Sequence, residues 1–155
     1  MLWPRIKRWL YAGGRPNALA RGVNRAVAAL HAGPFAPDAW VTLDVVGRSS
    51  GRKISFPLVM AAVGGDRFLV SMLGAEAAWV RNVRAAGGRA VMRHGRVERV
   101  RLEEVPSEQR APVLKAYLQR APGARPHVPV DKDAPLAEFE AIARDFPVFR
   151  VVAPA

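Results

Sequence analysis

The chain contains no cysteine. That absence excludes disulfide scaffolds, zinc ribbons, thiolate clusters and cysteine nucleophiles together. Histidine is scarce: His31, His94 and His127 share no metal-ligand spacing, so no metal site is expected. No apolar run approaches the ~20 residues that a membrane-spanning helix needs. No apolar stretch of ~7–15 residues follows the first charges, so a secretory signal is not expected. Internal repeats and low-complexity tracts are missing. Acids are few, 13 against 24 bases, and only four of the bases are lysines (Lys7, Lys53, Lys115, Lys132).

What remains is arginine on an ordinary globular background. With 155 residues, half of them hydrophobic, the chain has enough apolar material for one core. The net charge is +11. Guanidinium forks suit phosphates and carboxylates, although a GC-rich genome produces the same bias without function. The charge is uneven. Residues 1–56 carry nine bases and two acids, residues 57–101 eight and three, and residues 102–146 six and eight. The first two thirds therefore favour an anionic ligand, a membrane surface or nucleic acid.

Residues 1–35 read as a basic amphipathic helical segment, and residues 36–155 as the globular domain. Within residues 1–11, Leu2, Trp3, Ile6, Trp9 and Leu10 share one helical arc, with Arg5, Lys7 and Arg8 outside it. Such a segment suits peripheral membrane contact, or it packs on its own domain as an N-terminal arm. Asn17 can cap a second helix reaching His31, with Leu19, Val23, Val27 and Leu30 as its stripe.

Strands are expected at Trp40–Val46, Ser55–Val63 and Arg67–Met72, the last two joined by the hairpin signal Gly64-Gly65. Glu76–Ala86 reads as a helix stopped by Gly87-Gly88. Arg89–Arg93 and Arg96–Val105 flank a second hairpin at His94-Gly95. Pro106–Arg120 is partly helical, with Leu114, Tyr117 and Leu118 inward. Ala134–Asp145 is a short helix and Val148–Val152 a last strand. The class is α+β, mainly β. About six mostly antiparallel strands with flanking helices favour closure into a small barrel.

Two clusters stand out. Gly47-Arg48-Ser49-Ser50-Gly51-Arg52-Lys53 lies between strands, and its N–H groups and bases could cradle a phosphate. It is neither a Walker loop nor GxGxxG; a solvated basic hairpin is the bland alternative. The second cluster is Ser71-Met72-Leu73-Gly74 followed by Trp79 and Asn82. On a helix, Trp79, Asn82, Val83 and Ala86 share a face. Trp79 could wall a flat cofactor or sit in the core, and Asn82 could fix a loop or a ring oxygen, or be a buried asparagine satisfying backbone. Asp44, mid-strand, points away from Leu43 and Val45. No Ser-His-Asp set can be argued from spacing.

In this order the clusters resemble the deazaflavin-dependent nitroreductase and quinone reductase family of split β-barrels, found mainly in actinobacteria. The match runs from about Trp40 to Val152. It is carried by Gly47, Arg48, Ser50 and Gly51 in the turn, Pro57 and Leu58 on the next strand, Ser71 to Gly74, Trp79 with Asn82, and Phe146 to Val151. The resemblance implies an oxidoreductase binding the 8-hydroxy-5-deazaflavin coenzyme F-420, with FMN as the alternative flavin. That coenzyme carries a phosphodiester and a polyglutamate tail. The implied reaction passes a hydride to a quinone, nitro compound or activated alkene, and the cofactor does the chemistry.

The site residues so implied are Gly47, Arg48, Ser49, Ser50, Gly51, Arg52 and Lys53 for the anionic part. Phe56, Pro57 and Leu58 would lie at the ring, Ser71, Met72, Leu73 and Gly74 at its edge, and Trp79 and Asn82 behind it. Tyr117 and His127 are candidates for the substrate pocket, and no catalytic acid is implied. Ile54 and Met72 stand where the family often has a base. The expected setting is cytoplasmic, peripheral to the membrane if residues 1–11 engage it, as monomer or homodimer. A membrane-associated module holding a flavin or lipid without catalysis is the competing reading. Nucleic acid is disfavoured, because basic strands with exposed aromatics and a groove-reading helix are missing.

Overall fold

The computed structural model describes residues 39–154. The two N-terminal helices expected before residue 32, and any membrane contact through residues 1–11, lie outside the described residues. From residue 40 the order is β1 (Trp40–Val46), β2 (Lys53–Val63), β3 (Asp66–Val70), α1 (Ala78–Ala85), β4 (Arg89–Arg93), β5 (Val97–Glu104), α2 (Ala111–Arg120), α3 (Leu136–Ile142) and β6 (Val148–Val152). Short 3-10 turns fill Ser107–Gln109, Pro122–His127 and Ala143–Asp145.

The six strands close into one barrel in the order β1-β2-β3-β6-β5-β4, every pair antiparallel. Closure removes the sheet edges that a six-stranded open sheet would expose. β1, β4 and β6 have the limits expected from sequence. β2 starts two residues early, because Lys53 and Ile54 still pair with Val46 and Val45. β3 ends at Val70 rather than Met72. No residue past Leu69 pairs with β2, and the Ser71 N–H makes the last bond on the β6 side, to the Pro147 carbonyl at 2.9 Å. α1 starts at Ala78 rather than Glu76, and no side chain caps it. α2 begins one residue before Pro112, whose missing N–H costs nothing in a first turn. The expected helix over 134–145 divides into α3 and a 3-10 turn.

Apolar residues form two layers. Inside the barrel, Val41, Leu43, Met60, Leu69, Met92 and Phe149 form one cluster with Trp79, Val80 and Val83 of α1. On the outer face of β2 and β3, Ala61, Phe68 and Val70 meet Leu114, Tyr117 and Leu118 of α2 and Phe139 of α3. Burying one such leucine or phenylalanine contributes roughly 2 kcal/mol. The alternation placing Asp44 opposite Leu43 and Val45 holds, yet Asp44 is only 5% exposed. Its carboxylate accepts Arg93 Nε–H (2.8 Å) and Nη2–H (3.1 Å) and the Ser55 hydroxyl (2.6 Å). No helix among the described residues is long and apolar enough to cross a membrane.

Candidate functional site

The β1–β2 turn is built on its own backbone. Gly47 N–H donates to the Arg52 carbonyl at 2.8 Å, and Gly51 N–H donates to the Gly47 carbonyl at 2.9 Å. A Cβ at Gly47 would stand 2.7 Å from Ser50 Oγ and 2.8 Å from Ile54 Cδ1, so any other residue there must push those two side-chain ends aside. Ser50 Oγ accepts the Arg52 N–H at 3.2 Å. The turn is tied to α1 by Asn82, whose Oδ1 accepts the Arg48 N–H at 3.2 Å and Arg48 Nη1–H at 2.8 Å. The sequence expected Arg48 to face an anion and Asn82 to fix a loop. The structure joins the two, with the Arg48 guanidinium bonded to the Asn82 amide. Ser49, Ser50, Gly51, Arg52 and Lys53 are exposed. Among the described residues neither Arg52 nor Lys53 enters an ion pair.

β2 pairs with β1 from Lys53 to Val59, but β3 joins it only from Met60 onward. The side of β2 facing β3 is therefore not paired to a strand along Phe56, Pro57 and Leu58. Proline suits such an edge, because it has no N–H to donate. Phe56 is buried in the barrel, while Pro57 and Leu58 are half-buried. The chain leaving β3 forms the Ser71–Gly74 loop. Ser71 is fully buried, and its Oγ–H donates to the Gly74 carbonyl at 2.7 Å. Leu73 packs against the same apolar cluster as Leu58, while Met72 packs against the helical layer. The open stretch of β2 thus lies between a cationic turn and a half-buried apolar loop.

Trp79 is 6% exposed, with its ring 5.6 Å from that of Phe149 at 58°. It is a core tryptophan behind the site and not an exposed wall. Tyr117 and His127 belong to the helical layer. Tyr117 is 5% exposed, and burial pushes its phenol above the ordinary range. His127 is half-buried in the 3-10 turn after α2. The structure does not bring Tyr117 into an open pocket.

Sequence reading missed a groove of about 830 Å³ on the outside of the barrel, beginning at Lys53 and running over β1, β4 and β5. Its floor is mostly apolar, from Val45, Val46, Ala90, Val91 and Val100; Lys53, Arg89, Arg99 and Arg101 add positive charge, and Asp44 a negative one already met by Arg93. Arg101 faces Arg89 and Arg99 faces Val91 across the β4–β5 ladder. The arginines at 99 and 101, two residues apart on a strand, were the available signal. Among the described residues no group of histidine and acidic side chains could hold a metal ion.

A family model described as F420H(2)-dependent quinone reductase matches residues 21–137. No curated protein matches the chain. Among solved structures, an F420-H2 dependent reductase (FDR-A) is 24% identical, with TM-score 0.51, over 73% of this chain and 93% of that one. Protein Atu2129 of unknown function, from Agrobacterium tumefaciens, is 12% identical with TM-score 0.55, over 87% of this chain and 57% of that one. A putative pyridoxamine 5'-phosphate oxidase from Listeria innocua is 10% identical with TM-score 0.50, over 87% and 94%. These likenesses are likenesses of fold.

Proposed function

The chain belongs to the F420H(2)-dependent quinone reductase family, and from that membership we propose that the open stretch of β2 and its two flanking loops form its deazaflavin site. The protein is an oxidoreductase that uses the deazaflavin coenzyme. When bound, the reduced coenzyme supplies the hydride. The observation that carries the assignment is the juxtaposition of Arg52 and Lys53, exposed and outside any ion pair among the described residues, with the half-buried apolar Pro57, Leu58 and Leu73. A coenzyme that is anionic at one end and flat at the other matches both halves.

In this reading the Ser50 and Gly51 backbone with Arg52 and Lys53 hold the phosphodiester. The groove beyond Lys53, with Arg89, Arg99 and Arg101, receives the carboxylate tail. Pro57 and Leu58 support the ring, and Ser71, Met72, Leu73 and Gly74 bound it. Asn82 and Arg48 keep the turn against α1, and Trp79 backs it from the core. The acceptor is an apolar oxidant held over the ring, a quinone first and a nitro compound or activated alkene next. These residues orient and exclude water, which is how such a site lowers the barrier.

A fluorescence titration with the deazaflavin coenzyme, with FMN as control, tests the assignment. Saturable binding that prefers the deazaflavin is expected. Arg52→Ala with Lys53→Ala should keep the fold and raise Kd by about tenfold or more, because bonds to charged groups are worth ~1.5–3 kcal/mol each. Unchanged affinity in the folded double variant would place the anion elsewhere.

A further inference from the structure

Arg110 is buried, 7% exposed, at the start of α2, and burial draws its guanidinium below the ordinary arginine range. All three of its nitrogens are used. Nε–H donates to the Val105 carbonyl at 2.8 Å. Nη1–H donates to the carbonyls of Ala143 at 3.1 Å and Phe146 at 3.4 Å. Nη2–H donates to the Glu104 carboxylate at 3.4 Å. One side chain thus clamps the end of β5 to the irregular segment 143–147 that precedes β6. A desolvated cation is costly unless paired and hydrogen-bonded, so a site that keeps one there uses its geometry.

The clamped segment is the rear wall of the Ser71–Gly74 loop. The Pro147 carbonyl accepts the Ser71 N–H at 2.9 Å. The Asp145 carbonyl stands 3.3 Å from where a Cβ on Gly74 would be. Ser71 in turn closes the loop by donating its hydroxyl to the Gly74 carbonyl. The path from Arg110 to the loop is therefore short and made of direct hydrogen bonds joined by one peptide link: guanidinium, the carbonyls of Ala143 and Phe146, the next carbonyl at Pro147, Ser71.

We propose that Arg110 is a positioning residue for the coenzyme site, holding segment 143–147 so that the Ser71–Gly74 loop keeps the shape that bounds the ring. It touches neither coenzyme nor acceptor. The inference rests on the reading that this loop edges the coenzyme. Lysine cannot replace the guanidinium here, because one ammonium cannot span carbonyls on two segments in the same fork.

Two measurements test it. The first uses the unaltered protein and hydrogen exchange with and without the deazaflavin coenzyme. Coupling is reciprocal, so binding should raise protection at residues 143–146 and 148, which flank Pro147, as well as at 71–74. Protection confined to 71–74 would overturn the role of Arg110, whatever the variants do. The second measures coenzyme Kd for Arg110→Lys, with Gly74→Ala as a direct perturbation of the loop. Arg110→Lys should raise Kd by about tenfold, quicken exchange at 71–74 and 143–146, and leave the β1–β4 ladder as protected as before. Equal loosening of barrel and loop would mean a general stabilising role and sink the inference. If Gly74→Ala weakens binding but folded Arg110→Lys does not, the clamp is refuted and the site stands. If neither changes Kd and no protection appears at 71–74, the site reading fails first and takes the inference with it.

Discussion

Asn82 accepts two hydrogen bonds from a residue 34 positions away in the chain, the Arg48 N–H and its guanidinium. Asn82→Leu keeps the volume and removes the acceptor, leaving the Arg48 donors without it. Unmaking a part-buried bond of this kind costs about 1–3 kcal/mol. The urea midpoint should fall and coenzyme Kd should rise, because the turn is no longer tied to α1. Asn82→Asp, which keeps an acceptor and adds charge opposite the guanidinium, should retain both. An unchanged midpoint in the leucine variant would show that the turn stands on its backbone bonds alone. Sequence reading reached half of this pair. Asn82 was visible as the polar member of an apolar stripe, and the turn as a local cluster of glycine, serine and base. Their joining was not visible, since a bond across 34 residues leaves no local pattern. Arg110 left no signal at all: nothing near it in sequence distinguishes a buried arginine from the many exposed ones. Tyr117 makes a pH prediction. Its phenol is raised by burial from an ordinary value of 10.0. The unfolded chain therefore loses that proton first. The contribution to stability is intact below about pH 10 and declines as pH rises above it toward the folded-state value. Tyr117→Phe should flatten the alkaline fall of the urea midpoint between about pH 9 and 11, and parallel curves for the two proteins would exclude this phenol as its source.

The passage from α1 to β4 depends on two adjacent glycines whose surroundings differ. Gly87 N–H donates to the Arg84 carbonyl and Gly88 N–H to the Val83 carbonyl, which ends the helix. Both have positive φ, but a Cβ on Gly87 meets open space, whereas one on Gly88 would lie 2.5 Å from the Leu102 carbonyl oxygen. Gly87→Ala should cost about 1–2 kcal/mol, the left-handed penalty alone. Gly88→Ala should cost clearly more, because β5 must also move while the Leu102 N–H still bonds Gly88. Urea denaturation of the two variants checks the order, and equal costs would mean that β5 yields freely. The stop signal itself was legible, since a glycine pair after an apolar helical stripe has few other uses. Two misplaced strand ends share one cause. β3 was expected to run to Met72 on local propensity, but its pairing with β2 ends at Leu69 and its pairing with β6 at Val70, with the Ser71 N–H to the Pro147 carbonyl as a last bond on the β6 side. β2 was expected to begin at Ser55, but pairing with β1 extends it to Lys53. In both cases a partner distant in sequence decides, and the early end of β3 is what leaves Phe56–Leu58 unpaired on that side.

The whole molecule is divided by charge as well as by layer. The outer face of β1, β4 and β5 presents Lys53, Arg89, Arg99 and Arg101 along one groove. The acids of residues 102–146 include Glu138 and Glu140 on α3, in the helical layer over β2 and β3. The regional imbalance in composition was legible from sequence, and so was the barrel, because six short strands with hairpin signals have few ways to close. The groove was not, because Lys53, Arg89 and Arg99 come from three strands and meet only when β4 pairs with both β1 and β5. If the coenzyme tail follows that groove, part of its affinity is long-range and screened. The Debye length falls from ~10 Å at 0.1 M salt to ~3 Å at 1 M. Coenzyme Kd should therefore rise steadily as sodium chloride is raised. Arg89→Ala, Arg99→Ala and Arg101→Ala combined should raise Kd at low salt and make that rise shallower. The side chains of Arg89 and Arg99 are exposed and Arg101 is half-exposed in an ion pair with Glu103, so the fold should survive their loss. If Pro57, Leu58 and Leu73 hold the ring as proposed, those contacts are apolar and should not respond to salt, so an affinity floor should persist at high salt in both proteins. A slope identical in the triple variant would remove the groove from the binding path and leave Arg52 and Lys53 as the whole of the anionic contact.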